Sequence, residues 1–107
     1  MAKLEPMFET PYYAVVFASV RTPGDYGYSE MATRMVEMAS SQPGFLGVDS
    51  AREEIGITVS YWRDLESIKR WKAEFEHKEA QRKGQESWYQ SYTVRVARVE
   101  REYDFGL

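Results

Sequence analysis

TVSYWRDLESIKRWKAEFEHKEAQ, residues 58–81, is the stretch that decides the fold. Its apolar residues alternate as in a strand up to Trp62 and then recur about every 3.6 residues, as in a helix. Asp64 stands at the junction, where a side-chain oxygen can accept hydrogen bonds from the first-turn amides of a helix. The segment also contains Trp71 and the only histidine, His77. We therefore expect part of any functional site to lie here.

Composition limits the class of protein before any motif does. A chain of 107 residues is expected to form one domain, which we place at residues 12–107 after an N-terminal arm of residues 1–11. The absence of cysteine excludes thiolate chemistry, disulfides and cysteine-based zinc sites. A net charge of −3 and a pI near 5.2 argue against nucleic acid as a partner. No membrane-spanning or signal-type apolar run is present, which predicts a cytoplasmic protein.

The remaining segments complete a β-α-β-β-α-β order. Residues 12–20 are β-branched and aromatic, and residues 28–41 carry an amphipathic methionine-rich stripe that Gln42-Pro43-Gly44 ends. Residues 45–50 and 55–62 are predicted to form a hairpin across Arg52-Glu53-Glu54. A helix over residues 64–82, an uncertain segment 85–92 and a last strand over residues 93–102 follow. This order predicts an α+β, ferredoxin-like fold with four antiparallel strands and two helices on one face.

The first strand is apolar on both faces, but two helices can cover only one of them. A second copy of the sheet would bury the other face, and a twofold dimer is the commonest closed oligomer. Charged side chains of the last strand, including Arg95 and Arg98, could make reciprocal contacts. We therefore predict a homodimer.

Three segments resemble one protein family. GITVSYWRDLESIKRWK, EHKEAQRKG and YTVRVARVEREY, together with the Gln42-Pro43-Gly44-Phe45 turn, are similar to antibiotic biosynthesis monooxygenase-like proteins of the dimeric α+β barrel superfamily. The resemblance covers about residues 12–103. It implies a ferredoxin-like protomer that dimerises through its sheet, with a pocket between sheet and helices. Members of the family include cofactor-independent oxygenases that convert polycyclic phenols to quinones, and haem-degrading oxygenases.

The haem-degrading members carry an asparagine on the first strand, a tryptophan in the second helix and a haem-binding histidine about ten residues later. Trp71 matches the tryptophan, but Gln81 stands at the histidine position and the chain contains no asparagine. Because glutamine is a poor substitute for imidazole as an iron ligand, the sequence disfavours haem degradation. We expect no cofactor.

His77 has two interpretations. It shares a helix face with Gln81 and could act as a general base in a polar corner of a pocket, since an imidazole titrates near neutral pH. Alternatively, it is a partly exposed helical residue paired with Glu74 or Gln81. No metal site is predicted, because a single histidine and the glutamates nearest it, on different faces of one helix, do not form a ligand set.

The aromatic residues also have two interpretations. They could line a cleft for a flat hydrophobic ligand, or they could simply fill the core, which is our preference for Trp71 and Phe75. As candidate substrate-binding residues we name Trp62, Trp71, Gln81, Trp88 and Tyr92, with His77 as the candidate catalytic residue. Two functions stay open: a monooxygenase without metal or flavin acting on a small planar aromatic or phenolic compound, and a non-catalytic dimeric module that binds a small hydrophobic ligand or a partner.

Overall fold

The computed structural model describes residues 2–24, 28–81 and 89–106, of which residues 28–31 and 75–81 are described by their backbone alone. The chain follows the predicted β-α-β-β-α-β order. Its elements are β1 (Tyr12–Arg21), α1 (Tyr28–Ser40), β2 (Phe45–Arg52), β3 (Gly56–Trp62), α2 (Leu65–Gln81) and β4 (Tyr89–Val99).

The four strands form one antiparallel sheet in the order β2-β3-β1-β4. Ala39 of α1 and Ile68 of α2 pack in the same buried cluster as Val15 and Trp62, so both helices lie on the same face of the sheet. We call this the inner face and the opposite one the outer face. The topology and the single helical layer confirm the ferredoxin-like fold expected from the sequence.

The last strand differs from its predicted bounds at both ends. β4 starts at Tyr89, within the segment that the sequence left uncertain, because β1 continues to Arg21 and provides a pairing partner for Tyr89. It ends at Val99, opposite Tyr12, and residues 100–102 are not part of the strand. The residue before Tyr12 is Pro11, which has no backbone N–H to extend the ladder.

The turn between α1 and β2 fixes how the helices meet the sheet. The amides of Ser41 and Gln42 donate to the last carbonyls of α1, and Gly44 adopts a positive φ of 87°. The Gly44 carbonyl then accepts a 2.7 Å hydrogen bond from the amide of Arg63, directly after β3. From the same turn, Gln42 Nε2 donates to Glu74 Oε2 of α2 at 2.8 Å. This turn therefore holds the start of β2, the end of β3 and α2 together.

The start of α2 is capped as predicted. The amide of Ser67 donates to Asp64 Oδ1 at 2.7 Å, and this hydrogen bond lowers the pKa of the Asp64 carboxyl below its ordinary value. Within the described residues, neither helix has the length and apolar character needed to cross a membrane.

Candidate functional site

The inner face of the sheet consists of four transverse rows of side chains. Directly opposed residues of antiparallel strands point to the same face, so the register shows which side chains stand beside one another. In the order β2, β3, β1, β4, the rows are Phe45, Trp62, Tyr13, Arg98; Val48, Ser60, Val15, Val96; Ser50, Thr58, Phe17, Val94; and Arg52, Gly56, Ser19, Tyr92. We call the first row the aromatic end and the last row the arginine end.

At the aromatic end the tryptophans form part of the core. Trp62 is fully buried, its ring centroid lying 5.4 Å from that of Phe45 and 5.8 Å from that of Trp71. Its indole Nε1 donates to Ser60 Oγ at 2.9 Å, so the one polar atom of the ring is satisfied inside the protein. Trp71 packs against this cluster and is partly buried. Both residues therefore belong to the core between the sheet and the helices.

In the two middle rows, three of the four positions on β2 and β3 carry small polar side chains, and the fourth is Val48. Ser50, Thr58 and Ser60 lie next to one another there, whereas Val15 and Phe17 occupy the same rows on β1. Small side chains on a face covered by helices leave more room than leucine or phenylalanine would. Hydroxyl groups in such a position are suited to hydrogen-bond a polar substituent of a bound ring.

At the arginine end the guanidinium of Arg52 lies across β3. Gly56 separates Arg52 from Ser19 in the row, and a Cβ atom at position 56 would overlap the guanidinium. Arg52 Nη2 thereby reaches β1 and donates to the hydroxyl of Ser19, a residue that is only 2 % exposed. A positive charge is therefore held over the inner face at this end of the sheet.

Three aromatic rings lie in this row or beside it. The Phe17 centroid lies 5.2 Å from that of Tyr92 and 5.4 Å from that of Tyr89, and the two tyrosine rings are 5.7 Å apart. Tyr92 stays 40 % exposed. An accessible aromatic surface thus adjoins the strand that Arg52 reaches.

The predicted site residues fall into three groups. Trp62 and Trp71 are in contact at the aromatic end, and Tyr92 is three rows away, roughly 20 Å along the strands. His77 and Gln81 belong to the last turns of α2, which must run toward the arginine end because β4 begins there. Their side chains, and the whole of Trp88, lie outside the described residues. The roles of all six residues stay predictions.

Sequence reasoning missed Arg52 and Ser19. It placed Arg52 in the polar connector of the hairpin, whereas the structure includes it in β2. The available signal was Gly56, since a glycine at the start of a strand can mark the close approach of another group. The register that sets Arg52, Gly56 and Ser19 in one row was not deducible from the spacing alone.

The N-terminal arm crosses the outer face of the sheet. Asp49 accepts the Glu5 amide at 3.0 Å on one carboxylate oxygen and the Tyr61 hydroxyl at 2.8 Å on the other. Glu102 likewise accepts the Phe8 amide at 2.8 Å on one carboxylate oxygen and the Tyr12 hydroxyl at 2.5 Å on the other. Each carboxylate therefore connects the arm to a tyrosine of the sheet.

These contacts keep both phenols protonated. Burial and the hydrogen bond to Asp49 raise the pKa of Tyr61 to about 12, and burial and Glu102 likewise raise the pKa of Tyr12 above its ordinary value. A general base needs a pKa near the working pH, so neither tyrosine is suited to that role. Their hydroxyl groups act as hydrogen-bond donors that hold the arm in place.

An open groove of about 420 Å³ separates the arm from the C-terminal segment. Its lining includes Met7, Phe8, Glu102 and Tyr103, and it lies apart from the arginine end. Among the described residues, no group of three or more acidic or histidine side chains is placed to hold a metal ion.

Comparison with known proteins agrees with this architecture. Residues 11–83 match the family model described as antibiotic biosynthesis monooxygenase. An uncharacterised protein of Bacillus subtilis, YqjZ, is 54% identical over 96 residues, which cover 88% of this chain and 84% of that protein.

Solved structures share the fold at low sequence identity. SnoaB, a cofactor-independent oxygenase from Streptomyces nogalater, superposes with a TM-score of 0.65 at 12% identity, over 92% of this chain and 100% of SnoaB. A protein from Methanosarcina mazei gives 0.66 at 13% identity, over 86% of this chain and 94% of that one. The family model matches well over half of the sequence, and YqjZ is similar over most of its length. The chain therefore belongs to the antibiotic biosynthesis monooxygenase family.

Proposed function

We propose that the protein is a monooxygenase that acts on a small planar aromatic or phenolic compound and requires neither metal nor flavin. Membership of the antibiotic biosynthesis monooxygenase family is the observation that carries this proposal. SnoaB, which has the same fold, is described as a cofactor-independent oxygenase. In such chemistry the substrate provides the electrons, and the protein provides binding, orientation and electrostatics.

The reaction class can be written with anthrone as the example. A base removes a proton from the substrate, and the resulting anion transfers electrons to dioxygen. A C–O bond forms at the reacting methylene carbon, the O–O bond breaks, and one oxygen atom stays as the new carbonyl. The second oxygen atom leaves as water with the two hydrogens of the methylene group. One dioxygen is consumed for each quinone formed.

His77 is the proposed base. It belongs to the second half of α2, and the two described tyrosines with raised pKa values are unsuited to the role. We propose that Gln81, Trp88 and Tyr92 contact the substrate. Trp62, which is fully buried, and Trp71 would act on the site through their packing at the aromatic end and not by direct contact with the substrate.

The experiment is oxygen uptake with a panel of anthrones and hydroquinones. We expect at least one substrate to give catalytic uptake, and His77→Ala to abolish it while the melting temperature and the assembly state stay unchanged. Lys72→Ala, an exposed residue earlier on the same helix, is the control. Binding of the same compounds without any uptake would contradict the oxygenase and favour a ligand-binding module.

We further propose that the protein is a homodimer. The chain exposes 7768 Å² of surface, whereas a compact monomer of 12.5 kDa exposes roughly 6,200 Å². The difference of about 1,600 Å² exceeds the roughly 800 Å² that each partner buries in a standard interface. Apolar side chains with large exposed fractions lie on the outer face and its arm, among them Ile57, Leu4 and Met7, and also on the inner face of β4, at Val94 and Val96. Burial of these groups by a second copy would account for the excess surface.

A further inference from the structure

We infer that the arginine end of the inner face binds an anionic oxygen of the substrate, with Arg52 as the residue that contacts it. The ligand class is a planar aromatic compound that carries a carboxylate or an ionised phenol. This inference deepens the proposed function, on which it rests for the aromatic nature of the ligand.

The first support is the way in which the sheet holds the guanidinium. Gly56 has no side chain, and only this allows the Arg52 side chain to cross β3. The hydroxyl of Ser19, almost completely buried on β1, then fixes its direction through the hydrogen bond from Nη2. A glycine gap and a buried acceptor in the same row orient a long, flexible side chain, so less conformational entropy is lost when a ligand binds.

The second support is the chemistry of the group and its neighbours. A guanidinium carries its N–H donors in a planar fork that matches the two oxygens of a carboxylate. Arg52 is itself exposed, so a ligand can reach it. Tyr92 lies beside Ser19 at the other end of the row, and Phe17 and Tyr89 extend the aromatic surface next to it. A ring lying on these aromatics would bring its acidic substituent to Arg52.

A fixed positive charge at this point also suits the proposed reaction. Removal of a proton from a phenolic substrate creates an oxyanion, which a preorganised donor stabilises more than it stabilises the neutral phenol. Arg52 would thus favour the ionised form of the substrate and hold it in a single orientation.

The test is equilibrium binding, measured by calorimetry under nitrogen, of two probes with the same ring system. 2-Naphthoate carries the anionic oxygen, and 2-naphthamide is its neutral counterpart. We expect the unmodified protein to bind the naphthoate about tenfold more tightly, as a charge-assisted hydrogen-bond pair provides. Arg52→Met should bring the two affinities within about twofold of each other by weakening only the naphthoate.

Two further variants keep the test decisive. Gly56→Ala should reduce the preference for the naphthoate while Arg52 is present, because the added Cβ displaces the guanidinium from Ser19. Arg63→Met, which removes an exposed arginine beside the aromatic end, is the matched control and should leave the preference unchanged.

Equal affinity of the wild type for the two probes, or a preference that survives Arg52→Met, would overturn the inference. Because binding is measured without oxygen, its failure is separate from that of the proposed function. If the protein prefers the naphthoate but consumes no oxygen, the anion site is supported and the oxygenase is not. If it consumes oxygen but shows no preference for the naphthoate, the anion site is overturned and the oxygenase is not.

Discussion

Gly44 shows how a single residue can decide the geometry of the site. Its φ of +87° is a conformation that L side chains rarely adopt, and an added Cβ would overlap the side chain of Ser67 at the start of α2. We expect Gly44→Ala to lower the free energy of unfolding by about 2–4 kcal/mol, as measured by urea titration. Gly106→Ala is the matched control for the contact, since Gly106 has a similar φ of +80° in open space, and its effect should be limited to backbone strain of about 1 kcal/mol. Similar losses in the two variants would show that the contact with Ser67 is unimportant.

The raised pKa of Tyr61 predicts how the free energy of unfolding changes with pH. The unfolded chain ionises this phenol near its ordinary pKa of 10, whereas the folded protein does so near 12. The protonated phenol of Tyr61 therefore makes its full contribution to the free energy of unfolding below pH 10, and this contribution is lost as the pH rises toward 12. Tyr61→Phe should make the fall in unfolding free energy over this range shallower, as followed by urea titration at a series of pH values.

Tyr103→Phe is the control for this measurement, because Tyr103 is 84 % exposed in the C-terminal segment. Its pH profile should match that of the wild type. An unchanged alkaline profile in Tyr61→Phe would mean that burial and the hydrogen bond to Asp49 do not hold the phenol in its protonated form.

At the scale of elements, the N-terminal arm behaves as part of the fold although it contains no helix or strand. The ring of Phe8 lies 5.4 Å from that of Tyr12 and 5.6 Å from that of Tyr61, between the two carboxylates that bind the arm. Phe8→Ala should lower the free energy of unfolding by about 1–2 kcal/mol, less than the loss of a fully buried phenylalanine. Leu4→Ala, in an arm residue that is 69 % exposed, should change it little. The reverse order in a thermal melt would contradict this account of the arm.

The sequence predicted the regular elements well because each leaves a local signal. The change of period at Trp62, the cap at Asp64 and the stop at Gln42-Pro43-Gly44 all depend on neighbouring residues, and the structure confirms each of them. The ends of β4 were missed because they depend on which residues of β1 are able to pair with it. The arm was assigned no role, since its hydrogen bonds join residues 44 and 94 positions apart.

The candidate site was predicted less completely for the same reason. The aromatic residues and His77 pointed to the second helix, and one of the two interpretations of the aromatic residues grouped Trp62 and Tyr92 in a single cleft. The sheet places them at opposite ends of the inner face. Arg52 drew no attention because the residues it contacts, Gly56 and Ser19, become its neighbours only when three strands are paired.

At the scale of the whole molecule, the chain exposes more surface than a compact monomer of its mass, which predicts that it assembles into a dimer. We expect sedimentation equilibrium to give a mass of about 25 kDa at micromolar concentration, twice the 12.5 kDa of the chain. Ile57→Asp places a charge on the outer face, where 46 % of the isoleucine is exposed, and should shift the protein toward monomer.

Leu65→Asp is the matched control for the dimer. Leu65 is 52 % exposed at the start of α2, and the helical layer lies on the opposite side of the sheet from the outer face, so its substitution should leave the mass unchanged. A wild-type mass of 12.5 kDa would contradict the dimer, and a loss of mass in Leu65→Asp alone would move the interface to the helical layer.

The most direct test of the central claim is the fate of labelled dioxygen. Anthrone, or whichever compound of the panel gives oxygen uptake, is incubated with the protein and ¹⁸O₂, and the quinone is analysed by mass spectrometry. A monooxygenase that needs no metal or flavin predicts one ¹⁸O atom in each quinone and the other in water, with an unchanged rate after treatment with a chelator. A quinone without ¹⁸O, or no product above the rate without protein for any compound of the panel, would contradict the account.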